Sequence, residues 1–273
     1  MPAVNLIELR KEINSLLWDF TNPEAFRDGL MKLIDQYRTL SFRFGHGVQP
    51  GTQTSEIRIP RLVLRELELA LYQTIREQPQ AALTLCDVLW QDANFEMYTI
   101  ATQMLGQIPL EFSSEVLARI DAWSAEALDP SERETLIHNG AHLLRQREPD
   151  RLLALAQKWT SGGTPMDQER AVLMLNYLTD DPKFINLPAV FTLLEQLLES
   201  APTILQPELT SLFKNLFDKS QVETSFFLRQ MVEKSNPGSV VHRIARKLLP
   251  LVSAQSQEVI QNLLRSKHQP QSG

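Results

Sequence analysis

One cysteine in 273 residues, ten glycines and no long apolar run are the first things this sequence is short of. Cys86, set in the apolar run from Ala82 to Trp90, has no partner for an intrachain disulfide and reads as a small core residue rather than a nucleophile. No stretch approaches the roughly 18 apolar residues of a membrane helix, so no membrane partner is expected. Met1 to Arg10 has no basic region followed by an apolar one, which argues against a secretory signal and for a cytoplasmic location. The compact catalytic signatures are missing too: no Walker loop, no dinucleotide glycine pattern, no His-Glu-x-x-His and no Gly-x-Ser-x-Gly. No cofactor is implied. His138 and His142 stand four apart, which on an α-helix sets both imidazoles on one face. With no cysteine or acidic ligand beside them they read as ordinary helix surface, and no metal site is expected.

What is present is leucine at helical spacing. Leu6, Leu9, Ile13, Leu16 and Leu17 follow one helix face, as do Leu62, Leu64, Leu67, Leu69, Leu71 and Ile75, and again Leu152, Leu153, Leu155, Ala156 and Trp159. No run alternates apolar and polar residues between turns, so the fold class is all-α. Asn22-Pro23-Glu24, Asp129-Pro130-Ser131, Asp181-Pro182 and Asn236-Pro237 pair a capping side chain with a proline that presets φ. Ser131 to Glu134 also reads as a capping box, and Asp181-Pro182 equally as a turn after a helix. About fourteen helices of roughly 12 to 18 residues, joined by short links, make neighbours pack antiparallel.

A repeat runs through these helices. Trp90, Trp123 and Trp159 each sit near the end of an apolar helix, 33 and 36 residues apart, and the same step reaches the apolar stretches at Leu193 and Phe226. A two-helix period of this length predicts an α-solenoid of HEAT- or armadillo-like helix pairs, drawn as a single domain over 1–265. Residues 42–58 interrupt it as a long loop insertion with Gly45-His46-Gly47 and Pro50-Gly51; His46 reads as a solvated loop histidine. The polar tail, 266–273, is expected to be disordered.

The net charge of −6 is unevenly spread. From Arg229 to the C-terminus the balance is +5, leaving −11 on the rest. His242, Arg243, Arg246 and Lys247 fall close together on one helix and form a candidate phosphate-contacting patch, with a merely solvated face as the alternative.

In order along the chain, these signals resemble the HEAT-like repeat alkylpurine DNA glycosylases of the DNA alkylation repair family. Asn22-Pro23-Glu24 resembles the family's early helix start. Val88-Leu89-Trp90, then Phe95-Glu96-Met97-Tyr98 and Ala101, is similar to its Leu-Trp, Glu-aromatic and Ala helix pair. Glu148-Pro149 to Lys158-Trp159, followed by Glu169-Arg170-Ala171-Val172-Leu173, resembles its Pro, Lys-Trp, Arg-Ala-Ala pattern, and His242-Arg243-Ile244-Ala245 its late Arg-Arg-x-Ala. The resemblance implies a basic concave surface that grips DNA and a site built from two tryptophans, an aspartate and an arginine. The arginine corresponds to Arg170. The first aromatic-carboxylate site falls near Pro130 and Glu134, which keeps the acid and lacks the aromatic. The second tryptophan falls near Ser211 to Lys214, where a base remains and the aromatic does not. Trp123 and Phe213 are the nearest substitutes and lie out of register.

The expectation is therefore a non-catalytic scaffold that takes a protein or DNA partner on its concave face, with Arg170, Lys214, His242, Arg243, Arg246 and Lys247 as nucleic-acid contacts. The alternative is an active glycosylase using Glu134, Arg170 and a displaced aromatic. A third reading is a structural helical protein with a binding loop at Gly45 to Thr54.

Overall fold

A computed structural model describes residues 4–38, 59–92, 94–127 and 129–266. The loop insertion at 42–58, with His46, and the tail beyond Ser266 lie outside the described residues. Those described contain fifteen α-helices and no strand. No helix among them is long and apolar enough to cross a membrane. They group into two compact units, 1–144 and 145–273.

The first unit holds α1 (Leu6–Leu17), α2 (Pro23–Arg38), α3 (Arg61–Glu77), α4 (Pro79–Trp90), α5 (Phe95–Leu105), α6 (Ser113–Glu126) and α7 (Pro130–Thr135), then a π-helical turn (Leu136–Gly140). α8 (His142–Arg147) crosses the boundary. Asparagine and aspartate start many of these helices by accepting free first-turn amides. Asn5 accepts from Ile7 at 3.2 Å, Asn94 from Glu96 at 3.0 Å and Asp129 from Ser131 at 2.8 Å. The capping box of α7 is thus Asp129 with Glu132, whose carboxylate accepts from the Asp129 amide. Ser131 is inside the helix, two residues after the cap rather than at it.

In this unit α1 packs on α2 and α3, α2 on α4, and α3 on α4 and α5. Leu9, Ile13 and Leu16 face inward from α1, while Leu6 is turned out. α3 corrects the sequence reading further, because its six apolar positions are too many for one stripe. Val63, Leu67, Leu71 and Ile75 are buried, and Leu62 and Leu69 point outward. At the end of α4, Trp90 stacks on Trp123 of α6 with centroids 4.7 Å apart and rings 5° from parallel. Cys86 is fully buried, and burial pushes its thiol up.

The π-turn exists where two backbones meet. Gly106, at the end of α5, lies so close to it that a Cβ there would sit 2.0 Å from the Asn139 carbonyl oxygen. The Leu143 amide donates to the Gly106 carbonyl at 3.2 Å, and the Asn139 side chain to Thr102 Oγ1 at 3.2 Å. This turn also removes His138 and His142 from a common α-helical face, since α8 begins only at His142.

The second unit holds α9 (Pro149–Gly162), α10 (Pro165–Asp180), α11 (Leu187–Ser200), α12 (Gln206–Lys219), α13 (Gln221–Lys234), α14 (Val240–Leu248) and α15 (Ala254–Ser266). Prolines occupy the first turns of α9 to α12, where a missing amide costs nothing. Leu152, Leu153, Leu155, Ala156 and Trp159 are all buried, as their spacing requires. Asp181 ends α10 and turns the chain, accepting from Lys183, so Asp181-Pro182 is the turn and not a start. α14 begins at Val240 under a Ser239 cap, three residues beyond Pro237.

The side-chain bonds that tie helices together recur at intervals of 32 and 39 residues. Asp87 and Arg119 are 32 apart, Gln168 and Ser200 also 32, Asn176 and Asn215 39, Glu195 and Lys234 39. The ion pairs Arg10–Glu66 and Arg38–Glu96 straddle residues 39–58 and span 56 and 58.

Candidate functional site

α14 has the most one-sided surface in the second unit. Val240, Val241, Ile244, Ala245 and Leu248 are buried, and the helix packs on α12, α13 and α15. So many apolar positions in nine residues leave a narrow outer strip, and Arg243, Arg246 and Lys247 occupy it with no acid among them. Arg246 and Lys247 are exposed. Arg243 is partly covered and donates to Thr203 Oγ1 at 3.1 Å. His242 is fully buried, so the sequence reading is corrected here: the imidazole belongs to the inner face and does not reach the surface patch. The buried arc is wider than the spacing of the four polar residues suggests, because Val241 and Ala245 flank His242 on the inner side. Lys214 is exposed on α12, which packs against α14. Near the start of α14, a cleft of about 280 Å³ is lined by Glu195, Glu199, Lys234 and Ser239 among others, and its charges are mixed.

Arg170 lies in a different setting. Its side chain is 8% exposed, pairs with Asp167, and places its guanidinium 4.9 Å over the Trp159 ring. The turn between α9 and α10 builds this arrangement. Gly163 takes φ +71, a conformation favoured by glycine, and Thr164 caps α10 by accepting from the Asp167 amide at 3.1 Å. The Thr164 hydroxyl also donates to Asp167 Oδ2 at 2.6 Å. Burial pushes the Asp167 carboxyl up, but Thr164 and Arg170 together hold it below the usual value. Arg170 is therefore spent inside the protein, and its guanidinium is not presented to a ligand.

Glu134 is exposed on α7. Another carboxylate has the more unusual surroundings. Tyr98 packs 5.0 Å from Trp90, against the Trp90–Trp123 stack, and its phenol is raised by burial and by the negative charges of Glu132 and Asp92. Glu132 is itself raised, by burial and then by Asp129. The sequence reading passed over this aromatic-acidic corner. The 33-residue tryptophan interval was the signal for the stack, and nothing in the spacing set Glu132 apart from Glu134. Phe213 is fully buried and stacks with Phe227, which removes it as a displaced aromatic. Among the described residues no group of three or more His, Cys, Asp or Glu is placed to hold a metal ion.

No protein-family model, curated protein or solved structure matches the chain.

Proposed function

We propose that the protein is a non-catalytic scaffold of HEAT-like helix pairs that binds a protein or nucleic-acid partner, with the outer strip of α14 as its anion-contacting part. The solenoid reading draws support from the recurring 32- and 39-residue bonds, from the contacts of α1 with α2 and α3 and of α3 with α4 and α5, and from Trp90 lying on Trp123. The observation that carries the binding role is the acid-free strip of Arg243, Arg246 and Lys247, adjoined by α12 with Lys214. Against catalysis stands Arg170, the residue matching the family's arginine, which is held by Asp167 and Trp159.

Binding of labelled duplex and single-stranded DNA, titrated across salt, tests this. If the three bases each neutralise a phosphate, the triple variant Arg243→Glu, Arg246→Glu, Lys247→Glu loses about three units of the log K against log salt slope on duplex. A slope unchanged by the triple variant would sink the nucleic-acid reading of α14. Salt-insensitive binding would instead assign the scaffold to a protein partner.

A second reading rests on Tyr98, part-buried against the Trp90–Trp123 stack and within the electrostatic reach of Glu132: an aromatic ring near an acid suits a cationic alkylated base. It predicts release of free alkylated purine from methylated duplex DNA, lost in Glu132→Gln. No release at high protein concentration removes it.

A further inference from the structure

α3 carries two stripes, and only one of them faces the protein. Val63, Leu67, Leu71 and Ile75 are buried in the packing with α1, α4 and α5. On the outer side Leu62, Arg65, Leu69, Tyr72 and Arg76 follow at steps of 3, 4, 3 and 4, the spacing of a coiled-coil seam. At about 100° per residue these five fall within roughly 80° of arc, so they form a continuous row about four turns long. Leu62, Leu69 and Tyr72 are 38%, 62% and 49% exposed. Large apolar groups in a row at heptad spacing are a surface that another helix can cover.

The charges on the row say which kind. Arg65 and Arg76 lie in it and Arg61 beside it, all exposed, with no acid inside the arc. The acids of α3 lie to the sides and are engaged: Glu66 with Arg10 at 2.7 Å, Glu68 with Gln107 at 3.3 Å and Glu77 with Gln73 at 2.7 Å. Arg76 donates to the Tyr72 hydroxyl at 2.9 Å and lies 5.5 Å from its ring, which pre-orders the two side chains as a pair. Arginine and tyrosine are also the residues that interface centres favour, and lysine, which they avoid, is absent from α3. Residues 39–58 do not supply the complement, since Glu56 is their one acid against Arg43 and Arg58.

We infer that the outer face of α3 docks an acidic amphipathic helix of a partner protein, with Leu62, Leu69 and Tyr72 as apolar contacts and Arg65 and Arg76 opposite partner carboxylates. The inference deepens the scaffold reading by naming a partner class, and it uses a helix other than α14, so the two fail separately.

The probe is a fluorescein-labelled helical peptide of about three heptads, with leucine at the seam and glutamate flanking it, together with its lysine-flanked counterpart. Fluorescence anisotropy on the full chain should show the glutamate peptide bound at least about tenfold more tightly than the lysine peptide. Leu69→Glu should weaken it by about tenfold, and Arg65→Glu with Arg76→Glu should reverse the preference between the peptides. Circular dichroism melts of both variants should match the parent, because the replaced side chains are exposed. The α14 triple variant should bind the peptide as the parent does. Equal affinity for both peptides, or indifference to Leu69→Glu, overturns the inference. So does a parent dimer that Leu69→Glu splits in sedimentation, which makes a second copy the occupant, or a Leu69-dependent flotation with phosphatidylserine vesicles, which makes it a lipid surface.

Discussion

Gly106→Ala is expected to destabilise the first unit by about 3 kcal/mol or more. The added Cβ would stand 2.0 Å from the Asn139 carbonyl oxygen and 3.2 Å from the His142 Cβ, and the first of these is backbone that cannot rotate away. Relief requires α5 and the π-turn to part, which loosens the bond from Leu143 to the Gly106 carbonyl and that from Asn139 to Thr102. Urea unfolding followed in the near-ultraviolet, where the Trp90–Trp123 stack reports, should show the lower midpoint. Gly238→Ala is the control. There φ is +78 and nothing lies within 4 Å, so only the backbone conformation is penalised, at about 1 kcal/mol. Equal losses at the two sites would mean that the contact between α5 and the π-turn is not what demands glycine.

Arg170→Ala is the second large effect, about 3 to 5 kcal/mol, since it strands the part-buried Asp167 carboxylate and uncovers the Trp159 ring. Arg170→Lys should recover only part, because an ammonium keeps the charge but not the planar contact with the indole. The pH dependence follows from Asp167. Its folded carboxyl is held below the usual value, so its contribution is complete above about pH 4 and is lost as pH falls through the folded value. In Arg170→Ala the acid limb of the stability curve should move to higher pH, because burial remains and the guanidinium has gone. DNA affinity that drops in Arg170→Ala while its urea midpoint holds would contradict the structural role.

The parts of the fold legible in the sequence are those governed by spacing alone. Leu152 to Trp159 reads as one buried stripe and is one, because its apolar residues are just enough for a single face. α3 was not legible in the same way: six apolar residues at helical spacing fit either of two faces, and only the contacts with α1, α4 and α5 choose Val63 over Leu62. Among the caps, Asp129-Pro130 starts its helix as read, whereas the alternative cap Ser131 and Asn236 miss by two and three residues, since several residues in each turn can accept an amide. The site was less legible than the fold. Arg170 and His242 both sit at positions where a long or polar side chain suggests the surface, yet both are buried. Their neighbours in space, Trp159 with Asp167 and the inner face of α14, are set by helix packing that local sequence does not encode.

The ion pairs on either side of residues 39–58 have a practical meaning for the architecture. Arg10–Glu66 and Arg38–Glu96 span about twenty residues more than the bonds farther along the chain, yet they tie α1 to α3 and α2 to α5. The pairing of α1 with α3 and of α2 with α5 is thus kept at a residue separation that the later pairs do not share.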